Sequence, residues 1–132
     1  MIFLLEAYEQ DFNAFKLYLL DVGLLCAMAD VDATTIIDGN EIFVEFKGAL
    51  TENYVLQALI ASGIKPYYYA FDNRYEIDFI IQYKNEIVPI EVKSSENVNN
   101  TSLKVYNEKY APKTRVRFSM KNLNKDDNLI NI

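Results

Sequence analysis

Three charged residues in the middle of the chain have a spacing that could bind a divalent cation. Asp78 precedes Glu91 by thirteen positions, and Lys93 follows Glu91 by two. On neighbouring β-strands, paired residues of one face have Cβ atoms about 5 Å apart, so that two carboxylates can share one ion. Lys93 lies on the same face as Glu91 because side chains alternate with a period of two.

A β-hairpin is the element that would bring these residues together. Residues 74–83 and 86–93 are rich in β-branched and aromatic side chains, and the Lys-Asn pair between them suits a tight turn. A two-residue loop sets a register in which Asp78 lies opposite Glu91. A one-residue bulge would break this pairing, because it would shift one strand against the other.

Two interpretations of this acidic pair are open. Carboxylates that face each other repel, and a bound Mg²⁺ or Mn²⁺ would reverse that effect while keeping positions free for phosphate oxygens. Lys93 could then stabilise charge that develops on a phosphate or help to deprotonate a metal-bound water. In the structural alternative, the same residues are ordinary charges on the solvent face of a hairpin.

A helix that carries a further acid is predicted before the hairpin. Residues 48–62 have a helical apolar stripe, with Gly48 or Thr51 near the start and Gly63 as the stop signal. Glu52 lies near the first turn of this helix. Residues 41–47 are typical either of a strand or of a lead into the helix.

The remaining segments complete an α/β pattern. It predicts a strand at residues 14–21, a short helix at 22–29 with Asp21 as its N-cap, a helix at 102–110, a last strand at 114–120 and a frayed tail at 121–132.

The order of helix Glu, strand Asp and strand Glu-x-Lys resembles the restriction-endonuclease-like core of the PD-(D/E)xK phosphodiesterase superfamily. The resemblance implies an α/β fold with a central mixed sheet flanked by helices. It implies that Glu52, Asp78 and Glu91 bind Mg²⁺ or Mn²⁺ and that Lys93 is catalytic. The chain has Ile77 where the superfamily usually has Pro before the Asp.

A closer resemblance covers most of the chain. Four sequence blocks look like signatures of the C-terminal domain of unknown function 4143 of bacterial and archaeal AAA-type ATPases; they lie at residues 15–25, 52–56, 76–80 and 89–93. In that family the domain follows a P-loop ATPase module and a winged-helix segment. The chain has no Gly-x-x-x-x-Gly-Lys-Ser/Thr motif. The resemblance therefore implies a C-terminal piece whose partner is an ATPase module.

Composition favours one domain. The 132 residues are 51% hydrophobic, enough for one core, and we expect an N-terminal extension at residues 1–47, a nuclease-like core at 48–120 and the tail at 121–132.

The sequence contains no histidine, which excludes a Ser-His-Asp triad and a zinc site built from Cys and His. A single cysteine, Cys26, is expected to be a small buried side chain in a reducing cytoplasm. We expect no signal peptide and no membrane span.

Charge and tyrosine content bear on nucleic-acid binding. The net charge of −6 argues against strong nonspecific DNA binding, although residues 97–125 hold seven bases against one acid. This patch would either steer a phosphate backbone or form an ordinary solvated surface. The run Tyr67-Tyr68-Tyr69 would either stack bases or follow the two faces of a structural strand, and the second is the commoner case.

Two functions follow from these observations. The first is a metal-dependent nuclease acting on DNA through Glu52, Asp78, Glu91 and Lys93. The second is an idle nuclease-like fold that binds nucleic acid or protein and regulates an ATPase. The sequence leaves open the choice between them, the choice between DNA and RNA, and whether the chain forms a homo-oligomer.

Overall fold

A computed structural model describes residues 2–6, 15–30, 34, 41–95 and 101–132. The strands are β1 (Ile2–Glu6), β2 (Phe15–Leu19), β3 (Tyr67–Phe71), β4 (Tyr75–Tyr83), β5 (Glu86–Val92), β6 (Arg115–Phe118), β7 (Asn124–Asp126) and β8 (Leu129–Asn131). The helices are α1 (Val22–Met28), α2 (Glu41–Ala61) and α3 (Thr101–Tyr110).

The fold is a mixed α/β arrangement, as the sequence predicted. Six strands form one sheet in the order β3-β4-β5-β6-β8-β7. The first three are antiparallel neighbours, β5 is parallel to β6 and β6 is parallel to β8. A separate antiparallel pair, β1 and β2, contacts the large sheet at β3.

Helices cover both faces of the sheet, and β4 presents apolar side chains to each of them. One face packs against α2 in a cluster that includes Val55, Leu56, Leu59, Phe79 and Ile81. The other face packs against α3 in a cluster that includes Ile77, Ile80, Leu103 and Tyr106. Hydrophobic burial on both faces therefore fixes the central strands between two helices.

The predicted β4–β5 hairpin is confirmed. The pairing begins at Tyr83 and Glu86, so the loop contains only Lys84 and Asn85. Both loop residues have positive φ, 48° and 62°, which is the backbone of a type I′ turn. This turn matches the twist of the strands and sets the register of the hairpin.

The helix α2 begins at Glu41, which confirms the second of the two interpretations of residues 41–47, a lead into the helix. Residues 41–47 are helical, so Gly48 and Thr51 lie inside the helix rather than at its beginning. The predicted stop is confirmed: Gly63 has a φ of 75°, and its N–H donates to the Ile60 carbonyl at 2.9 Å. Glycine suits this left-handed position at the end of a helix.

The prediction of a frayed tail at residues 121–132 was wrong. The segment forms β7 and β8, and β8 continues the large sheet beside β6. Asn131 is buried within it, accepting hydrogen bonds from Arg117 Nε and Ser119 Oγ, both at 2.9 Å, and donating to the Asn122 carbonyl at 3.1 Å. Side-chain hydrogen bonds thus hold a segment whose strand propensity is low.

The short helix α1 begins as predicted. The Asp21 side chain accepts a hydrogen bond from the Leu24 N–H at 3.1 Å and so caps the helix. Cys26 on this helix is a free thiol that is only partly buried, less than expected. Among the described residues, no helix has the length and apolar character needed to cross a membrane.

Candidate functional site

Asp78 and Glu91 lie at the same end of the β4–β5 hairpin. The pairing runs from Tyr83 and Glu86 to Phe79 and Ile90, and the same register continued by one position sets Asp78 level with Glu91. The side chain of Asp78 reaches across to β5, where its Oδ2 accepts a hydrogen bond from the Val92 N–H at 2.8 Å. The first acid is therefore tied to the strand that carries the second.

A bulge in β4 lies at the same place. Tyr67 pairs with Ile80 and Tyr69 pairs with Ile77, so β4 has one residue more than β3 over this stretch. The bulge affects the β3 side of β4 and leaves the hairpin register intact. Bulges re-aim side chains and are frequent beside functional sites, and this one includes the position of Asp78.

Glu91 is the most deeply buried acid of the site. It is 5% exposed, and its Oε1 pairs with Lys93 Nζ at 2.7 Å. Its other oxygen, Oε2, is buried and has no hydrogen-bond partner among the described residues. A buried carboxylate oxygen without a hydrogen-bond partner lowers the stability of the fold. We therefore expect this atom to bind a proton or a cation.

Glu52 enters the site from α2 and meets two side chains of β2. Its Oε1 accepts a hydrogen bond from the Tyr18 hydroxyl and pairs with Lys16 Nζ at 3.2 Å. Lys16 also forms an ion pair with Glu76 of β4. Residues of β2 therefore link the helix acid to the strand acids.

Asn53 holds β2 in the position that this contact requires. Its side-chain Oδ1 accepts from the Leu19 N–H at 2.9 Å, and its Nδ2 donates to the Leu19 carbonyl at 3.1 Å. The buried amide thus takes the place of a neighbouring strand at the end of β2. Gln57, one helical turn further on, accepts from the Val22 N–H at 3.3 Å.

The surroundings of the site disfavour ionisation of its carboxyl groups. Burial, followed by the charges of Glu91 and Glu52, raises the pKa of Asp78 to about 7, although the Val92 amide and Lys16 oppose the shift. Burial also raises the pKa of Glu91, while Lys93 opposes it. Strongly raised carboxyl pKa values with specific charge partners are typical of functional sites.

The acids of the site also shift the pKa values of the two side chains that β2 contributes. Burial and then the charge of Glu52 raise the pKa of Tyr18, so its hydroxyl stays protonated and donates. Burial disfavours the charge of Lys16, but Glu52 and Glu76 outweigh it and raise the pKa of the ammonium group. Lys16 thus remains a cation inside the acidic site.

The acids of the site fit a metal ion only in part. In the parts of the chain that the structure describes, no group of three or more His, Cys, Asp or Glu side chains is arranged to hold one. Glu52 is engaged by Lys16 and Tyr18, which leaves Asp78 and Glu91 as the pair on the adjoining strands. The bare Oε2 of Glu91 fits a hard cation, since Mg²⁺ is commonly bound through one or two carboxylates and several waters.

A cavity of about 400 Å³ adjoins the site on the side of β2. Lys16, Tyr18 and Glu52 line it together with Leu17, Leu19, Leu25, Ala49 and Asn53. The acid of α2 is therefore accessible from a concave surface rather than enclosed in the core.

A family model for a domain of unknown function, DUF4143, matches residues 47–132, which is more than half of the chain. The chain belongs to the DUF4143 family. No curated protein and no solved structure matches it. The matched part of this DUF4143 chain contains Glu52, Asp78, Glu91 and Lys93, whereas β2 lies before it.

The residues that sequence reasoning singled out for this DUF4143 chain meet in one region. Asp78 interacts electrostatically with both Glu91 and Glu52, and Lys93 pairs with Glu91. Sequence reasoning gave no role to Lys16 and Tyr18. The sequence block at residues 15–25 contains both residues and was the feature that could have identified them.

The basic C-terminal part of the DUF4143 chain is largely engaged in structure. Lys109 pairs with Asp72 at 2.7 Å, and Lys113 pairs with Glu86 at 3.1 Å. Arg115 donates to Asn128 at 2.9 Å. Burial lowers the pKa of this arginine, while Asp127 opposes the shift. Lys109 and Lys113 therefore pair with the β3–β4 turn and the start of β5, and Arg115 bonds the β7–β8 turn, so part of this positive charge is already engaged within the fold.

The tyrosine run follows the alternation of a structural strand. Tyr68 is buried in the cluster beneath α2, while Tyr67 and Tyr69 are partly exposed. Tyr69 belongs to an aromatic group with Phe71, Tyr106 and Tyr110, and its hydroxyl lies 2.9 Å from that of Tyr110. The structural interpretation is therefore confirmed for Tyr68.

Proposed function

We propose that this DUF4143 domain is a metal-dependent phosphodiesterase that cleaves DNA and that acts as the C-terminal partner of an AAA-type ATPase. The observation that carries the proposal is the Asp78–Glu91 pair at the end of the hairpin. Two acids with raised pKa values adjoin each other, one retains a buried oxygen without a partner among the described residues, and a lysine follows it by two positions and pairs with it.

The fold and the order of the charged groups support this proposal. A helix acid, a strand acid and an acid-x-Lys strand follow one another on a mixed sheet flanked by helices. This is the arrangement expected of a restriction-endonuclease-like core. An open cavity also reaches one of the four residues, Glu52, and gives access to the site from the side of β2.

Each residue has a role in the proposed reaction. Asp78 and Glu91 would hold Mg²⁺ or Mn²⁺, with Glu52 as a third acid once it is released from β2. The cation would act as a Lewis acid toward a phosphate oxygen and make water a better nucleophile. Lys93, two residues from Glu91, would place its positive charge where a phosphate gains negative charge in the transition state.

The proposal is tested by titrating the protein with Mn²⁺ in a calorimeter and then assaying cleavage of DNA with Mg²⁺ or Mn²⁺. The wild type should bind the ion, and Asp78→Asn should abolish binding. Lys93→Ala should retain binding and cleave DNA some hundred- to thousand-fold more slowly, because it loses a contact made in the transition state. Lys104→Ala, an exposed lysine of α3, is the matched control.

The alternative function is that of a regulatory module that binds nucleic acid or protein. It is favoured by the ion pairs that already engage two of the acids, Lys16 with Glu52 and Lys93 with Glu91. Absence of Mn²⁺ binding in the wild type would support this alternative. Equal background cleavage by wild type and Lys93→Ala would do the same, since it would identify the cleavage as contamination.

A further inference from the structure

Lys16 lies among all the acids of the site, although it belongs to none of the motifs that define it. Its Nζ contacts Glu52 and Glu76, and its charge also acts on Asp78 and Glu91. Its side chain is only 25% exposed. A partly buried ammonium group in contact with two carboxylates is a fixed part of the site rather than a mobile surface charge.

Lys16 is held in this position from three directions. The strand that carries it is fixed to α2 by the two hydrogen bonds between Asn53 and Leu19. Its ammonium group lies 5.8 Å from the centre of the Tyr68 ring, a cation–π distance. The Tyr18 hydroxyl, two residues further along β2, donates to the same Glu52 oxygen that Lys16 contacts.

The charges of the site balance only when it binds protons or a further cation. Within the described residues, four carboxylates surround the site, Glu52, Glu76, Asp78 and Glu91, and the ammonium groups paired with them are those of Lys16 and Lys93. Two negative charges remain when all the acids are ionised. Part of this uncompensated negative charge lies on the buried Oε2 of Glu91, which has no hydrogen-bond partner among these residues.

We propose that Lys16 is the internal counter-ion of this site and sets its affinity for divalent cations by competing with them for Glu52. The inference rests on the proposed metal-dependent function and assigns a role to β2 within it. In the absence of metal, Lys16 and Tyr18 hold Glu52 away from the strand acids. When a divalent cation binds to Asp78 and Glu91, Glu52 exchanges Lys16 for the metal, and the ammonium group is released.

Calorimetric titration with Mn²⁺ tests this competition. Lys16→Met removes the competing charge and should bind Mn²⁺ about tenfold more tightly than wild type, because like charges a few ångströms apart repel strongly at low effective dielectric. Lys16→Arg keeps the charge and should bind with nearly wild-type affinity. Lys104→Met, which removes a lysine far along the chain on α3, should also leave the affinity unchanged.

The outcomes separate this inference from the proposed function. Binding by wild type with equal or weaker binding by Lys16→Met would overturn the role of Lys16 and leave the metal site standing. Absence of binding by wild type and by both Lys16 variants would overturn both. Tighter binding by Lys16→Met supports the counter-ion role.

A measurement on the wild-type protein covers the case in which Lys16→Met fails to fold. An amine-acylating reagent, followed by mass spectrometry, reports the accessibility of each lysine. Saturating Mn²⁺ should increase the acylation rate of Lys16 severalfold and leave that of Lys104 unchanged. An unchanged or slower reaction at Lys16 with Mn²⁺ bound would overturn the proposal.

Discussion

The Val92 amide donates its hydrogen bond to the carboxylate of Asp78 rather than to a main-chain carbonyl of β4, at 2.8 Å. The hairpin pairing ends one position earlier, at Phe79 and Ile90. A side chain thus takes over the partner role of the backbone where the two strands separate. The acid is oriented by the strand that carries Glu91 and Lys93, so their relative position depends on one hydrogen bond and on the hairpin register.

The raised pKa of Asp78 makes the metal-free protein less stable at alkaline pH. A carboxyl with a pKa of 3.8 when unfolded and about 7 when folded binds more protons in the native state between these values. The stabilisation is complete below about pH 4 and is lost as pH rises through 7. Between about pH 5 and 8, the free energy of unfolding should fall on the order of 1–2 kcal/mol through this site, reduced by solvent screening.

Urea unfolding at several pH values measures this dependence. Asp78→Asn should flatten it, whereas Asp126→Asn, at an exposed position of β7, should retain the wild-type slope. A wild-type protein that gains stability from pH 5 to 8 through Asp78 would contradict the raised pKa.

Asn53→Ala should destabilise the protein strongly. The substitution removes two hydrogen bonds from a buried side chain and leaves the N–H and carbonyl of Leu19 without them. The expected loss is about 2–4 kcal/mol of unfolding free energy. Tyr54→Ala, at the neighbouring exposed position, should change stability by less than about 1 kcal/mol, and a loss of equal size in both variants would argue against the specific role of Asn53.

Asn131→Ala tests whether the last strands are an integral part of the fold. The change removes hydrogen bonds to Arg117, Ser119 and Asn122 and should lower the unfolding free energy by about 2 kcal/mol. Asn124→Ala, at an exposed position of β7, should have an effect within about 0.5 kcal/mol. If both variants unfolded with wild-type midpoints in thermal denaturation, β8 would contribute little to stability.

The hairpin turn can be improved. Lys84 and Asn85 both adopt positive φ, which Asn and Gly tolerate better than Lys. The double change Lys84→Asn with Asn85→Gly should raise the unfolding free energy by about 0.5 kcal/mol, partly offset by loss of the exposed contact between Lys84 and the Tyr83 ring.

Thermal melts with a matched control measure this gain. Lys104→Asn makes the same exchange in the interior of α3, where Asn has lower helix propensity than Lys, and should destabilise by about 0.5 kcal/mol. A double variant that melts below the wild type would show that the turn is not strained.

The sequence was sufficient for the elements with strong local signals. The hairpin was predictable because alternating apolar residues flank a two-residue polar turn, and the end of α2 was predictable from Gly63. The register followed from the loop length alone. These features place Asp78 near Glu91 before any long-range contact is considered.

The rest depended on contacts between distant residues. The start of α2 was left open because Val44 and Phe46 are compatible with either a strand or a helix, and only the tertiary structure decides between the two. Strands β7 and β8 were missed because the segment is rich in Asn and Asp, which disfavour strands locally. Lys16 was missed as a site residue because it precedes Glu52 by 36 positions and reaches it only through the docking of β2 on α2.

The dependence of Glu52 on β2 has a practical consequence for the choice of boundaries of a recombinant fragment. A recombinant fragment that began at residue 47, where the family match starts, would keep Asp78, Glu91 and Lys93 but would lose the strand that bonds Asn53 and the two side chains that hold Glu52. Such a fragment would expose Glu52 without the cation that pairs with it, Lys16. Expression plasmids for this protein should therefore start before Phe15.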